Sequence, residues 1–414
     1  MADQPELIYV AAAIVDTALG LARPGAVAVR NGRIVASGPT GQVRDTVDRW
    51  ENVVRLDDAL ILPGMVNAHV HLDLTGIGPQ PFDDDFPRWL GTVTEARPVG
   101  ADAIARTVTD AVDQCRDAGV GGVGDIAYDP AAVSARCQTQ LPGVSFLECF
   151  GPGRFARDGI DKLNDRLSAL PLTQDQVRVG ISPHAPYTAD RAVYDHVTAL
   201  CCQHGYPLTT HLAESPQEEQ FTRRATGMFV EHLQRMNWWD DAITPTGLHP
   251  VEWLEPCLQR ARWLVAHCNY VDDDHIDTLA RCGATVAYCP VASDYFGHRG
   301  HRYRDMLAGG VNVCLGTDSI VCQPADEPQP LGLLAQMRHL YRRDRTEPAQ
   351  LLAMATVNGC KALGLAAHHA TLQAGAPARL YSVRFDPTDR RDPLTQVLEN
   401  RYPVQPLKIA ENML

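Results

Sequence analysis

This chain lacks a membrane-length apolar run, a basic run, a Cys-x-x-Cys pair and a nucleotide-type glycine loop, and each absence removes a class of function. No stretch of the 414 residues approaches the ~20 apolar residues that span a bilayer. The formal net charge is −13 and no basic run offsets it, so a nucleic-acid polymer is not an expected partner. The apolar stretch 7–15 is preceded by Asp3 and Glu6, where a secretory leader carries basic residues; the expectation is a cytoplasmic protein with no membrane partner. None of the twelve cysteines has Cys-x-x-Cys spacing, and their scatter through apolar runs such as 146–149 and 313–315 reads as buried, reduced thiols. No Gly-x-Gly-x-x-Gly follows an early strand, which counts against an open doubly wound sheet.

What is present is an ordinary globular composition, 45% hydrophobic and 21% charged, with enough apolar matter for a large core. Residues 7–61 read as short strands: 7–15, 26–30, 33–36 and 53–56, with Asn31-Gly32 a hairpin turn because both residues tolerate positive φ. The run 378–383 has the same character near the other end. Between them, strand-like runs at 65–71, 119–126, 144–149, 177–182, 207–211, 262–267, 284–289 and 311–316 alternate with helix-like segments, among them 101–117, 189–203, 217–235, 273–281, 331–342 and 348–363. Eight βα units in series predict an α/β fold, a (β/α)8 TIM-type barrel over 62–365. Segments 1–61 and 366–414 are then the two parts of a small β-sandwich domain formed from both termini.

In such a barrel, chemistry collects at the carboxyl ends of the strands. The first expected strand ends in His69-Val70-His71, the fifth in Thr210-His211-Leu212-Ala213-Glu214, the sixth in Ala266-His267-Cys268-Asn269 and the eighth in Gly316-Thr317-Asp318-Ser319. Singly, each has an ordinary explanation: a core histidine bonded to a carbonyl, a first-turn carboxylate, an N-cap aspartate. Jointly they place imidazoles and carboxylates on one rim, the donor types that hold a borderline divalent cation and leave a position for water. His69, His71, His211 and Asp318 are therefore the expected ligands of one divalent ion, zinc first and iron the alternative. Such an ion lowers the pKa of water from 15.7 to about 7. Glu214, three residues beyond a ligand, is placed to shuttle a proton, and His267 to orient the attacking oxygen. Glu148 on the third strand alone keeps a second metal open.

Ser182-Pro183-His184-Ala185-Pro186-Tyr187 forms a rigid loop at the same rim and makes His184 a substrate contact. The connection 215–262 holds Trp238, Trp239 and Trp253, which serve either to cap a flat ligand or as a dimer contact, a homodimer being the oligomer expected.

The run from Pro63 to His71, the loops around His184 and His211, Ala266-His267-Cys268-Asn269 and Leu315-Gly316-Thr317-Asp318-Ser319 together resemble the amidohydrolase superfamily. Within it they are most similar to the deaminase and chlorohydrolase branch, whose members include aminodeoxyfutalosine, S-adenosylhomocysteine, adenosine and cytosine deaminases. The resemblance implies a metal-dependent hydrolytic deaminase. The small heterocyclic substrate expected is an adenine-type nucleoside, and its expected binding set is His184, Glu214, Ser293 and Trp89. A triazine chlorohydrolase, a cyclic amide hydrolase and an inactive metal-stabilised binding protein are the alternatives. Cys289-Pro290-Val291-Ala292-Ser293 departs from the branch, which usually carries more polar groups there, and Asp73 stands where similar members tend to have glutamate.

Overall fold

In the computed structural model, residues 7–170 and 176–408 are described; the outermost positions of the two expected terminal segments lie outside them. Eight parallel strands, Met65–Val70, Val120–Ala127, Gly143–Cys149, Val177–Pro183, Leu208–Leu212, Trp263–His267, Thr285–Tyr288 and Asn312–Leu315, form one sheet in strict chain order. Almost every strand residue is buried, as parallel strands covered on both faces must be. A parallel bridge from Val70 to Asp318, with the Thr317 and Asp318 amides donating to the His69 carbonyl (3.1 and 3.0 Å), brings the end of the eighth strand back to the first. This is the expected TIM-type barrel.

Local chemistry accounts for the helix boundaries. Asp190 and Asp272 accept amide hydrogen bonds as N-caps of Arg191–His204 and Asp273–Arg281, and Gly205 ends the former with φ 73°. Two expected helices are each broken in two. The 217–235 segment splits into Pro216–Arg224 and Met228–Arg235, because Ala225 (φ 49°) and Gly227 (φ 93°) leave the helical region. The 348–363 segment splits at Thr356 into Pro348–Ala355 and Val357–Leu363.

Residues from both ends share a second sheet of seven strands. Val53–Pro63 lies between Leu7–Asp16, to which it is parallel, and Leu380–Arg384, to which it is antiparallel with Ser382 opposite Ile61. Asn31 (φ 51°) and Gly32 (φ 69°) make the hairpin turn between Gly25–Arg30 and Arg33–Pro39. Tyr9, Ile14, Val27, Ile34, Ile61, Leu372 and Leu380 form its core. All twelve cysteines are free. By contacts the chain forms two compact units, one of Met1–Asn67, Asp113–Gly122 and Glu327–Leu414, the other of Ala68–Val112 and Val123–Asp326. Every residue of the site below belongs to the second unit.

Candidate active site

His69 and His71 project side by side where the first strand stops, with ring centroids 5.3 Å apart. His211 stands one residue before the end of the fifth strand. Its amide and its Nδ1 both lie 2.9 Å from the His184 carbonyl, so Nδ1–H is committed there and Nε2 remains for the centre. Asp318 Oδ1 lies 3.6 Å from His69 Nε2 and 3.4 Å from His71 Nε2. One nitrogen from each of His69, His71 and His211 falls within 4.8 Å of the others, as do one nitrogen each from His69 and His267 and a carboxylate oxygen of Asp318. The structure thus brings the four expected ligands and His267 together.

Two further observations bear on what this cluster holds. His69 Nε2 and His267 Nε2 are buried and have no hydrogen-bond partner among the described residues. Burial pushes the imidazoles of His211 and His267 down to about 3, and that of His71 well below its ordinary value, so all three are neutral near pH 7 with lone pairs available. Burial alone would raise the Asp318 carboxyl, but the imidazoles of His69, His267 and His71 clustered around it hold it well below the usual carboxylate range. Neutral imidazoles with vacant lone pairs around an ionised carboxylate fit a divalent cation.

Backbone strain concentrates here. His267 (φ 72°), Cys268 (φ 52°), Asp318 (φ 59°) and Ala213 (φ 49°) all adopt the left-handed region, at a cost of about 1–3 kcal/mol each. Glu218 fixes the turn after the fifth strand, its two carboxyl oxygens accepting the Ala213 and Glu214 amides at 2.9 Å each. That turn delivers Glu214 to the cavity floor with Oε1 3.7 Å from His267 Nε2. Burial, reinforced by the charge of Asp318, pushes the Glu214 carboxyl well above its ordinary value, which favours its protonated form.

The cavity, about 440 Å³, is within the usual range for small-molecule sites. His71, His211, Glu214, His267 and Asp318 form its floor, and His69 lies behind them. His184 lines it as expected, with Nδ1 2.7 Å from Thr188 Oγ1. So does Trp89, whose Nε1 donates to the Tyr295 hydroxyl at 2.9 Å and whose ring meets Phe296 edge-on at 4.9 Å. Ser293 does not line it: its hydroxyl is donated to Asn269 Oδ1 at 2.9 Å, because the helix Pro290–Tyr295 turns that face inward. Of the three expected tryptophans only Trp238 lines the cavity. Trp239 donates to Asp241, and Trp253 packs on Tyr194.

Sequence reasoning missed several residues. Arg97 pairs with Asp73 at 3.1 Å, lies over the Tyr128 ring at 4.6 Å, and lines the cavity with Phe86, Tyr128 and Phe150. The helix Phe86–Ala96 was foreshadowed by Asp85, which caps it, and by the proline in its first turn. Glu218 was foreshadowed by the Ser215-x-x-Glu218 spacing of a capping box. Nothing local marks Arg97 or Tyr128.

The Amidohydrolase family matches residues 60–407 of this chain. An aminodeoxyfutalosine deaminase of Deinococcus radiodurans is 27% identical over 318 residues, which cover 73% of each chain. Among solved structures, Helicobacter pylori aminofutalosine deaminase in complex with methylthio-coformycin superposes with a TM-score of 0.81 at 19% identity, covering 96% of this chain and 97% of that one. An adenosine deaminase from Xanthomonas campestris with bound zinc gives 0.72 at 21% identity, covering 99% and 94%.

Proposed function

This chain belongs to the amidohydrolase family, and from that premise we propose that it is a metal-dependent hydrolytic deaminase. It releases ammonia from an amino-substituted nitrogen heterocycle, an adenine-type nucleoside first among them. The names carried by the relatives support the substrate class. The observation that carries the reaction is the half-buried Glu214, its carboxyl pushed well above its ordinary value by burial, standing 3.7 Å from His267 on the floor of the cavity beside the His71, His211 and Asp318 cluster.

His69, His71, His211 and Asp318 would hold one divalent ion, zinc by the nature of the donors and iron the alternative. When bound, such an ion supplies an activated water at neutral pH. Glu214 donates its proton to the ring nitrogen next to the amine-bearing carbon and so makes that carbon electrophilic. His267 holds the water oxygen that adds there, and Asp318 takes up the first proton this oxygen gives away. That proton passes to the amine, which leaves as ammonia, and the remaining hydroxyl proton returns to Glu214 as the carbonyl forms. His184 contacts the heterocycle, and Trp89 and Phe296 cover its face. The strain at His267 and Asp318 holds both groups on target before substrate arrives.

The test is ammonia release and metal content measured across aminopurine nucleosides, aminopyrimidines and aminotriazines. Deamination of adenine nucleosides, lowered roughly 10²–10⁴-fold by Glu214→Gln with metal retained, is the expected result. A metal-loaded protein inert to the whole panel would instead be a binding protein, and triazine turnover alone would move the reading to the chlorohydrolase alternative.

A further inference from the structure

The direction in which Glu214 points is set by the two peptide groups that flank its Cα, and both are held by residues outside the fifth strand. The first, between Ala213 and Glu214, is gripped at both ends: the Ala213 carbonyl accepts the Tyr270 amide at 3.2 Å, and the Glu214 amide donates to Glu218 Oε2 at 2.9 Å. The second, between Glu214 and Ser215, is held at its carbonyl, which accepts Asn269 Nδ2 at 3.0 Å. Ala213 sits at a strained φ of 49°, so a peptide released on either side would let the turn relax and swing the carboxyl away from His267.

Asn269 does not act alone. Its Oδ1 accepts the Ser293 hydroxyl at 2.9 Å, so one amide group stands between two partners. The Glu214 carbonyl can only accept and must face the NH2 end, which leaves the amide oxygen for the hydroxyl. With both ends tied, the plane of the amide is fixed. Asn269 and Ser293 are 5% and 3% exposed, and neither lines the cavity. Away from water such bonds are stronger, and leaving one unmade costs more. The segment that carries Ser293 is itself tied to the same turn: the His298 amide donates to the Ser293 carbonyl at 2.8 Å, and the Tyr270 hydroxyl lies 3.0 Å from His298 Nδ1. The ends of the fifth and sixth strands and the helix Pro290–Tyr295 after the seventh are joined in this way.

Resting on the proton-shuttle role of Glu214 above, we propose that Asn269 and Ser293 are positioning residues for Glu214. The Ser293 hydroxyl fixes the Asn269 amide, the amide fixes the Glu214 carbonyl, and the fixed peptide aims the Glu214 carboxyl at the ring nitrogen it protonates. Ser293, expected at the substrate, thus serves the reaction at one remove.

The experiment places Asn269→Ala and Ser293→Ala in wild type and in Glu214→Gln. For each protein kcat and KM are measured on an adenine nucleoside that the wild type deaminates, and metal content and thermal midpoint are recorded. In the wild-type background kcat falls roughly 10- to 100-fold for Asn269→Ala and about 3- to 10-fold for Ser293→Ala, with KM within about twofold and metal retained. In Glu214→Gln each substitution costs under about twofold more, because the group it aims no longer has a proton to give. Equal losses in both backgrounds, losses confined to KM, or an unchanged kcat would each overturn the inference while leaving the deaminase reading intact. If Asn269→Ala does not fold, Ser293→Ala, which removes a single oxygen atom, decides by the same comparison. A wild type that deaminates no nucleoside, or a Glu214→Gln enzyme as active as wild type, overturns the reading under Proposed function, and this inference with it.

Discussion

Along the strand-end rim, His69, His211, His267 and Asp318 are carried by backbone tied into parallel ladders, as where His211 pairs with Ala266 and Leu212 with His267. Across the cavity, Phe86, Trp89, Trp238 and Phe296 stand on connecting helices and turns and are partly exposed. The rim holds polar atoms in place through backbone hydrogen bonds and strained φ angles. The wall holds flat rings through edge contacts, Trp89 on Phe296 at 4.9 Å and Phe86 on Phe229 at 6.1 Å, which tolerate small shifts. A catalytic centre needs the first kind of placement and a binding wall can be built with the second. Changes to the rim should therefore strike metal and turnover, and changes to the wall should strike substrate affinity.

The largest effect is expected from His211→Gln. Loss of bound divalent metal by elemental analysis, with a fall in ammonia release of at least about 10³-fold, is the outcome that fits. Full metal content with undiminished turnover would break the distinction at its root. Next is Glu218→Ala, which leaves the amides of Ala213 and Glu214 buried without their acceptor. It should cost roughly 2–5 kcal/mol in denaturant unfolding and displace Glu214, so turnover falls although no ligand is touched.

Gly316→Ala comes third. A Cβ there would lie 2.8 Å from the His69 carbonyl oxygen and 2.9 Å from Cys289 Sγ, where the eighth strand approaches the first. We expect a loss of about 1–3 kcal/mol together with weaker metal retention under mild chelation. A variant as stable and as well metallated as wild type would show that the rim has slack. The smallest effect belongs to the wall. Trp89→Phe removes the bond to Tyr295 and about 0.5–1.5 kcal/mol with it, and should raise KM several-fold with metal content unchanged. Metal loss in this variant would erase the contrast between the two sides.

How far each side could be read in advance follows from how it is built. A barrel strand announces itself by a short β-branched apolar run, and a polar residue at or just past the end of that run inherits its place from the strand; hence the convergence of His69, His71, His211, His267 and Asp318 was legible. The wall had no such anchor. Trp89, Trp238 and Trp253 look alike in sequence, yet two line the cavity and one packs on Tyr194. Ser293 sits in a stretch where polar groups were expected to reach substrate, but its hydroxyl is turned to Asn269. The break in the expected 217–235 helix depends on Ala225 adopting φ 49°, a conformation alanine rarely chooses without tertiary support.

By itself the sequence determined the eightfold alternation, the terminal strands with their Asn31-Gly32 turn, and the identity of the donor groups, because period, turn chemistry and position after a strand are local properties of the chain. Only the tertiary structure decided which of those groups face one another and which polar atoms go without a partner. The unsatisfied oxygen of Glu148 and the committed Nδ1 of His211 arise from contacts between strands distant in sequence, and burial, which sets their protonation, exists only once the barrel has closed.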